Sequence, residues 1–105
     1  DIQLSPAEVI ISELQKLGVK IRIFDPYFKN ISVYGIQTAN NLDEVISKVD
    51  AAILVTSHTE FQDIQPEYFV SKMKSPILID TRRVIDTQAA KKAGLIFRGL
   101  GRGKF

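Results

Sequence analysis

Three short stretches of this chain are apolar without a break: Ala51-Ala52-Ile53-Leu54-Val55, Pro76-Ile77-Leu78-Ile79 and Leu95-Ile96-Phe97. A strand with one face in water alternates apolar and polar residues, so an unbroken apolar run reads as a strand covered on both faces. Helical signals separate these runs. Ser5-Pro6-Ala7-Glu8 has a cap residue, a proline at the first helical position and a glutamate that closes a capping box. Val9, Ile10, Leu14 and Leu17 then form one stripe, which Gly18 ends. Val19-Lys20-Ile21-Arg22-Ile23-Phe24 reads as a strand stopping at Asp25-Pro26, and Ile31–Tyr34 as a further extended piece. Asn41 caps the next helix, with Glu44 three residues on, and that helix runs to about Lys48. A polar loop, Thr56 to Gln65, leads to a helix opened by Pro66; Thr87 to Ala93 is a short helix closed by Gly94.

Alternating helices and buried strands imply an α/β fold: a three-layer, Rossmann-like parallel sheet with helices on both faces. The 105 residues suit a single domain. Such domains usually open on a strand, whereas this chain opens on a helix, so its first strand reads as truncated. In the strand order 3-2-1-4-5-6 the first strand is central. Its loss would leave a gap flanked by Val19–Phe24 and by Ala51–Val55 or Pro76–Ile79. That gap would be partly filled by Asp1–Leu4, closed over by the sheet, or covered by a second molecule in an oligomer.

Composition removes several classes of function. There is no cysteine, so disulfides, thiolate metal sites and cysteine nucleophiles are excluded, and His58 as the lone histidine excludes a multi-histidine metal site. No metal ligand and no catalytic residue is assigned. The net charge of +2 is too small for bulk attraction to nucleic acid or membrane. No run is long enough to span a bilayer and no signal peptide is visible, so the expected location is cytoplasmic. The charge is unevenly placed. Residues 1–81 hold 7 basic and 11 acidic side chains, a net of −4, and residues 82–105 hold 7 basic against Asp86, a net of +6.

In a doubly wound sheet, ligands bind beyond the carboxyl ends of the strands. Asp25, Thr56-Ser57-His58 and Asp80-Thr81-Arg82 are expected on that rim. Arg82, just past a buried strand, is the strongest candidate, because a guanidinium matches the geometry of phosphate. Asp25 and Asp80 could be phosphoryl acceptors like those of response-regulator receivers, but Pro26 follows the first and a turn-and-cap role suits Asp25 better. His58 could move a proton, although ordering its loop is the simpler role. Gly99-x-Gly101-x-Gly103 lacks the following helix of a dinucleotide fingerprint and reads as an exit segment.

Several motifs coincide along the whole chain. They are Ser5-Pro6-Ala7, Phe24-Asp25-Pro26-Tyr27, Val49-Asp50-Ala51-Ala52, Leu54-Val55-Thr56-Ser57-His58-Thr59-Glu60-Phe61, Asp80-Thr81-Arg82, and Gly94 followed by Leu100-Gly101-Arg102. In order and spacing they resemble the C-terminal, nucleotide-sugar-binding domain of the UDP-glucose/GDP-mannose dehydrogenase family. The resemblance implies a larger enzyme with an N-terminal NAD-binding domain and a middle dimerisation domain, hence a homo-oligomer. It implies NAD-dependent oxidation of a sugar C6 alcohol to a carboxylate through a cysteine held by another domain, so this chain should hold ligand and perform no chemistry alone. It places the substrate-contacting arginine of the family's D-x-R at Arg82. It places a cofactor-contacting arginine at the position of Gln3, which as a neutral side chain cannot pair a phosphate as a cation. Asp80-Thr81-Arg82 with Gly101-Arg102-Gly103 is more similar to the UDP-N-acetylmannosamine enzymes, with UDP-glucose next. The alternative reading is a stand-alone α/β binding module that uses its basic C-terminal face to hold anions.

Overall fold

The computed structural model describes residues 6–99. The chain packs as two compact units, residues 1–45 and 46–105. The helix start at Ser5, the Gln3 position, the Asp1–Leu4 segment and the glycine-rich tail after Gly99 lie outside the described residues.

In the first unit, α1 (Pro6–Lys16) ends before Gly18, but the predicted stripe is not its buried face: Val9 and Leu17 are exposed, Ile10 and Leu14 are half-buried, and Ile11, outside the stripe, is the residue that is buried. Gly18 has φ +76, a left-handed conformation that closes a helix at little steric cost to glycine. The predicted strand over Val19–Phe24 is not formed; residues 19–25 carry no strand assignment. A strand exists only in a ladder, and alternation in the sequence does not supply the neighbour. One contact typifies what the segment has instead: Ile23 O accepts from Ala39 N at 2.8 Å. The extended piece predicted at Ile31–Tyr34 is half of a hairpin. β1 (Ser32–Val33) pairs antiparallel with β2 (Ile36–Gln37). Between them Tyr34 and Gly35 have φ 53 and 78, as a type I′ turn demands at both central positions. Thr38, buried in this unit, fastens the hairpin's base, its hydroxyl donating to Phe28 O at 2.7 Å and accepting from Ile31 N at 3.0 Å. The Asn41 cap forms as predicted: Asn41 Oδ1 accepts from Glu44 N at 2.9 Å, opening α2 (Leu42–Ile46). Glu44 returns the contact by accepting from Asn40 N at 3.2 Å.

The second unit holds the parallel sheet, β3 (Ala52–Leu54), β4 (Ile77–Asp80) and β5 (Ile96–Gly99), in the order β3-β4-β5. Its register sets Leu54 opposite Asp80 and Asp80 opposite Gly99. The three carboxyl ends are therefore level and form one rim. The loop predicted between β3 and the Pro66 helix contains one further short helix, α3 (Thr59–Gln62), and α4 (Pro66–Lys72) then begins on its proline as predicted. α5 (Thr87–Ala93) has the predicted bounds. Gly94, at φ 101, closes it, its N–H returning to Ala90 O and Lys91 O.

The core of this unit is Ile46, Leu54, Phe61, Phe69, Met73, Leu78, Ile85, Ala90, Leu95 and Phe97. α4 and α5 pack on each other, and α5 packs on β5. Leu78 and Asp80 share one face of β4 and are wholly buried, while Ile77 and Ile79 on the other face are half-buried. The unbroken apolar run thus reflects one fully covered face and one partly covered face.

Asp86 caps α5, its carboxylate accepting from Ala89 N at 2.9 Å. Asp86→Ala should lower stability by about 1 kcal/mol, read as a fall in urea midpoint with an unchanged slope. A midpoint equal to the parent's would show that the cap is not holding the helix.

Candidate functional site

The rim of the second unit gathers two of the three predicted segments. Thr56-Ser57-His58 follows β3 and Asp80-Thr81-Arg82 begins on the last residue of β4, and the two strands are paired neighbours. Asp25, the third, ends no strand of this sheet. Its carboxylate accepts from Tyr27 N at 2.8 Å and its carbonyl from Phe28 N at 3.2 Å, a turn fixed by its own side chain. The turn-and-cap role predicted for Asp25 matches this geometry.

Arg82 follows β4 after Thr81 and is exposed. Its backbone N–H donates to Asp80 Oδ1 at 3.0 Å. The other oxygen of Asp80, Oδ2, accepts from Ile85 N at 2.7 Å. Asp80 is wholly buried with both oxygens engaged by backbone donors, which removes it as a phosphoryl acceptor. Thr81 reaches across to β3, its hydroxyl and its N–H both donating to Leu54 O, at 2.7 and 3.0 Å. Arg83 has φ 58, left-handed for a residue with a side chain. Arg83, Val84, Ile85 and Asp86 line an open hollow of about 490 Å³.

His58 precedes α3 at its N-cap position, without a side-chain capping bond. Its carbonyl accepts from Phe61 N at 2.9 Å, and its ring meets the Phe61 ring edge to face, centroids 5.7 Å apart. This packing, with Phe61 buried, orders the loop after β3. A second hollow, about 320 Å³, lies in the first unit, where Arg22, Asn30, Gln37, Thr38, Asn40 and Glu44 provide its polar lining. Among the described residues no three His, Asp or Glu side chains form a group able to hold a metal, and no helix is long and apolar enough to cross a membrane. Gly18 and Gly94 follow helices, Gly35 sits in a hairpin and Gly99 ends β5. None of them makes the strand-to-helix glycine turn that cradles a dinucleotide pyrophosphate.

The sequence located Arg82 and the rim. It did not reveal how Asp80 and Thr81 are engaged; the only signal for Asp80 was an acid ending an apolar strand.

The family model described as the UDP binding domain of the UDP-glucose/GDP-mannose dehydrogenase family matches residues 1–87. The chain belongs to the UDP-glucose/GDP-mannose dehydrogenase family. Within that family it is 31% identical over 103 residues to the UDP-N-acetyl-D-mannosamine dehydrogenase of Pyrococcus horikoshii, covering 98% of this chain and 22% of that protein. It is 29% identical over 106 residues to the UDP-glucose 6-dehydrogenase of Rickettsia felis, covering 96% of this chain and 24% of that protein. The chain thus spans about a quarter of the length of these dehydrogenases. Among solved structures, an NDP-N-acetyl-D-galactosaminuronic acid dehydrogenase from Methanosarcina mazei superposes with a TM-score of 0.81 at 23% identity, covering 92% of this chain and 20% of that one. At that identity the likeness shows the Rossmann-like α/β fold.

Proposed function

We propose that residues 1–105 are the nucleotide-sugar-binding domain of a larger NAD-dependent UDP-sugar 6-dehydrogenase, and that Arg82 contacts the substrate. The observation that carries this reading is the exposed Arg82 on the carboxyl rim of a chain that matches the UDP binding domain. A guanidinium gives paired, charge-assisted hydrogen bonds to phosphate oxygens, and the residues that follow Arg82 in the chain, Arg83 to Asp86, line an open hollow. UDP-N-acetylmannosamine is the favoured substrate and UDP-glucose the next, in keeping with relatives bearing both names. The oxidation of the sugar C6 alcohol takes its nucleophilic cysteine and most of its NAD contacts from other parts of the enzyme. Gln3 is the position from which this chain would touch the cofactor. The enzyme is proposed to be a cytoplasmic homo-oligomer.

Titrating UDP into the chain tests the reading. Arg82→Ala removes a charged hydrogen bond contributing roughly 1.5–3 kcal/mol, so the Kd for UDP should rise about 10- to 150-fold. In the full-length dehydrogenase the same substitution should raise KM for the nucleotide sugar. A chain that does not bind UDP, or an Arg82→Ala variant with the parent's affinity, would overturn the proposal.

A further inference from the structure

We propose that Asp80 is the positioning residue for Arg82, with Thr81 as its helper: together they hold the arginine-bearing loop in its binding geometry before ligand arrives. The inference rests on the reading of Arg82 as a substrate contact. A carboxylate taken wholly out of water is tolerated only where hydrogen bonds occupy its oxygens. Asp80 meets that condition with two backbone N–H groups from the same short loop, Arg82 N on Oδ1 and Ile85 N on Oδ2. The carboxylate therefore clasps residues 82–85 at both ends.

Inside that clasp Arg83 holds a left-handed φ of 58. Residues with a Cβ resist that conformation, and it persists where the surroundings impose it. The clasp supplies such a constraint. On the other side of Arg82, the Thr81 hydroxyl and N–H converge on Leu54 O, pinning the loop to the end of β3. A glycine at position 81 could give only the N–H half of that attachment. The backbone is thus fixed immediately before, at and after Arg82, while the Arg82 side chain is exposed. Fixing a recognition group in advance removes ordering entropy from the binding step.

A role in folding alone and a role in positioning predict different outcomes. The test measures UDP affinity of the chain and of Asp80→Asn, Arg82→Ala, the Asp80→Asn/Arg82→Ala double variant, Thr81→Val and Thr81→Ser, with a thermal melt of each. Asparagine keeps the shape but only one acceptor oxygen, so one clasp bond is lost. Folded Asp80→Asn should bind UDP about tenfold more weakly. Once Arg82 is already alanine, the same change should weaken binding by less than about threefold, because the coupled pair does not add. Thr81→Val should weaken binding, and Thr81→Ser, which restores the hydroxyl, should recover it. Parent-like affinity in folded Asp80→Asn, or losses that multiply independently in the double variant, would overturn the positioning role. If Asp80→Asn does not fold, the Thr81 pair decides: equal affinities for valine and serine overturn the proposal. Failure of Arg82→Ala to weaken binding is a separate result and would overturn the function of Arg82 itself.

Discussion

Leu78→Asp should abolish folding of the second unit. Leu78 is in the central strand of the sheet and wholly buried. Two residues on, Asp80 is equally buried on the same face of β4. The contrast is one of partners. Asp80 lies at the strand end, where the backbone turns and presents the N–H groups of Arg82 and Ile85. At position 78 the backbone N–H and C=O groups belong to a strand paired on both sides by β3 and β5. A carboxylate there would be a buried charge without a partner, a defect of about 3–5 kcal/mol or more, on top of the lost burial of leucine. Far-ultraviolet circular dichroism should show loss of the native signal at neutral pH, whereas Leu78→Met should stay folded. A cooperative melt of Leu78→Asp near the parent temperature would show that the face is wetter than the structure has it.

Phe69→Ala should destabilise the chain by about 3–5 kcal/mol. Phe69 is 1% exposed in α4, the helix that packs on α5. Truncating the ring removes its transfer free energy and leaves a cavity that close-packed neighbours fill only in part. Small domains have about 5–15 kcal/mol in total, so the variant should unfold at a markedly lower urea concentration. Phe69→Leu, which keeps most of the volume, should lose much less. A loss below about 1 kcal/mol for the alanine variant would mean that α4 collapses into the space, or that it contributes little to the core.

How much was legible in the sequence depended on whether a feature is local. α4 on Pro66, α5 between Thr87 and Gly94, and the Asn41–Glu44 cap are short-range arrangements, and all were readable. The three apolar strands were readable because burial leaves a compositional mark, although the ladder is shorter than the run at Ala51–Val55, where only Ala52–Leu54 pairs. Val19–Phe24 has the same alternation as a strand and fails for a reason outside itself, the lack of a ladder neighbour. The hairpin was missed because its signal is a single Gly after Tyr34, a residue that seldom takes positive φ. Within the candidate site, Arg82 was visible as a charge behind a buried strand. Asp25 and Asp80 looked alike as acids ending apolar runs. In the structure the first shapes a turn, and the second is an internal fastening with both oxygens in use.

The strand order β3-β4-β5 follows the order of synthesis. Each strand adds beside the one made just before it, across α3 and α4 between β3 and β4 and across α5 between β4 and β5. Loops of that length close at modest entropic expense. The Asp80 clasp is shorter still, spanning five residues at most. As a chain emerges from the ribosome, β3 and β4 can pair, and the loop carrying Arg82 can take its shape, before β5 has been made. The rim that carries Arg82 would then be among the earliest parts of the second unit to mature, with β5 added last.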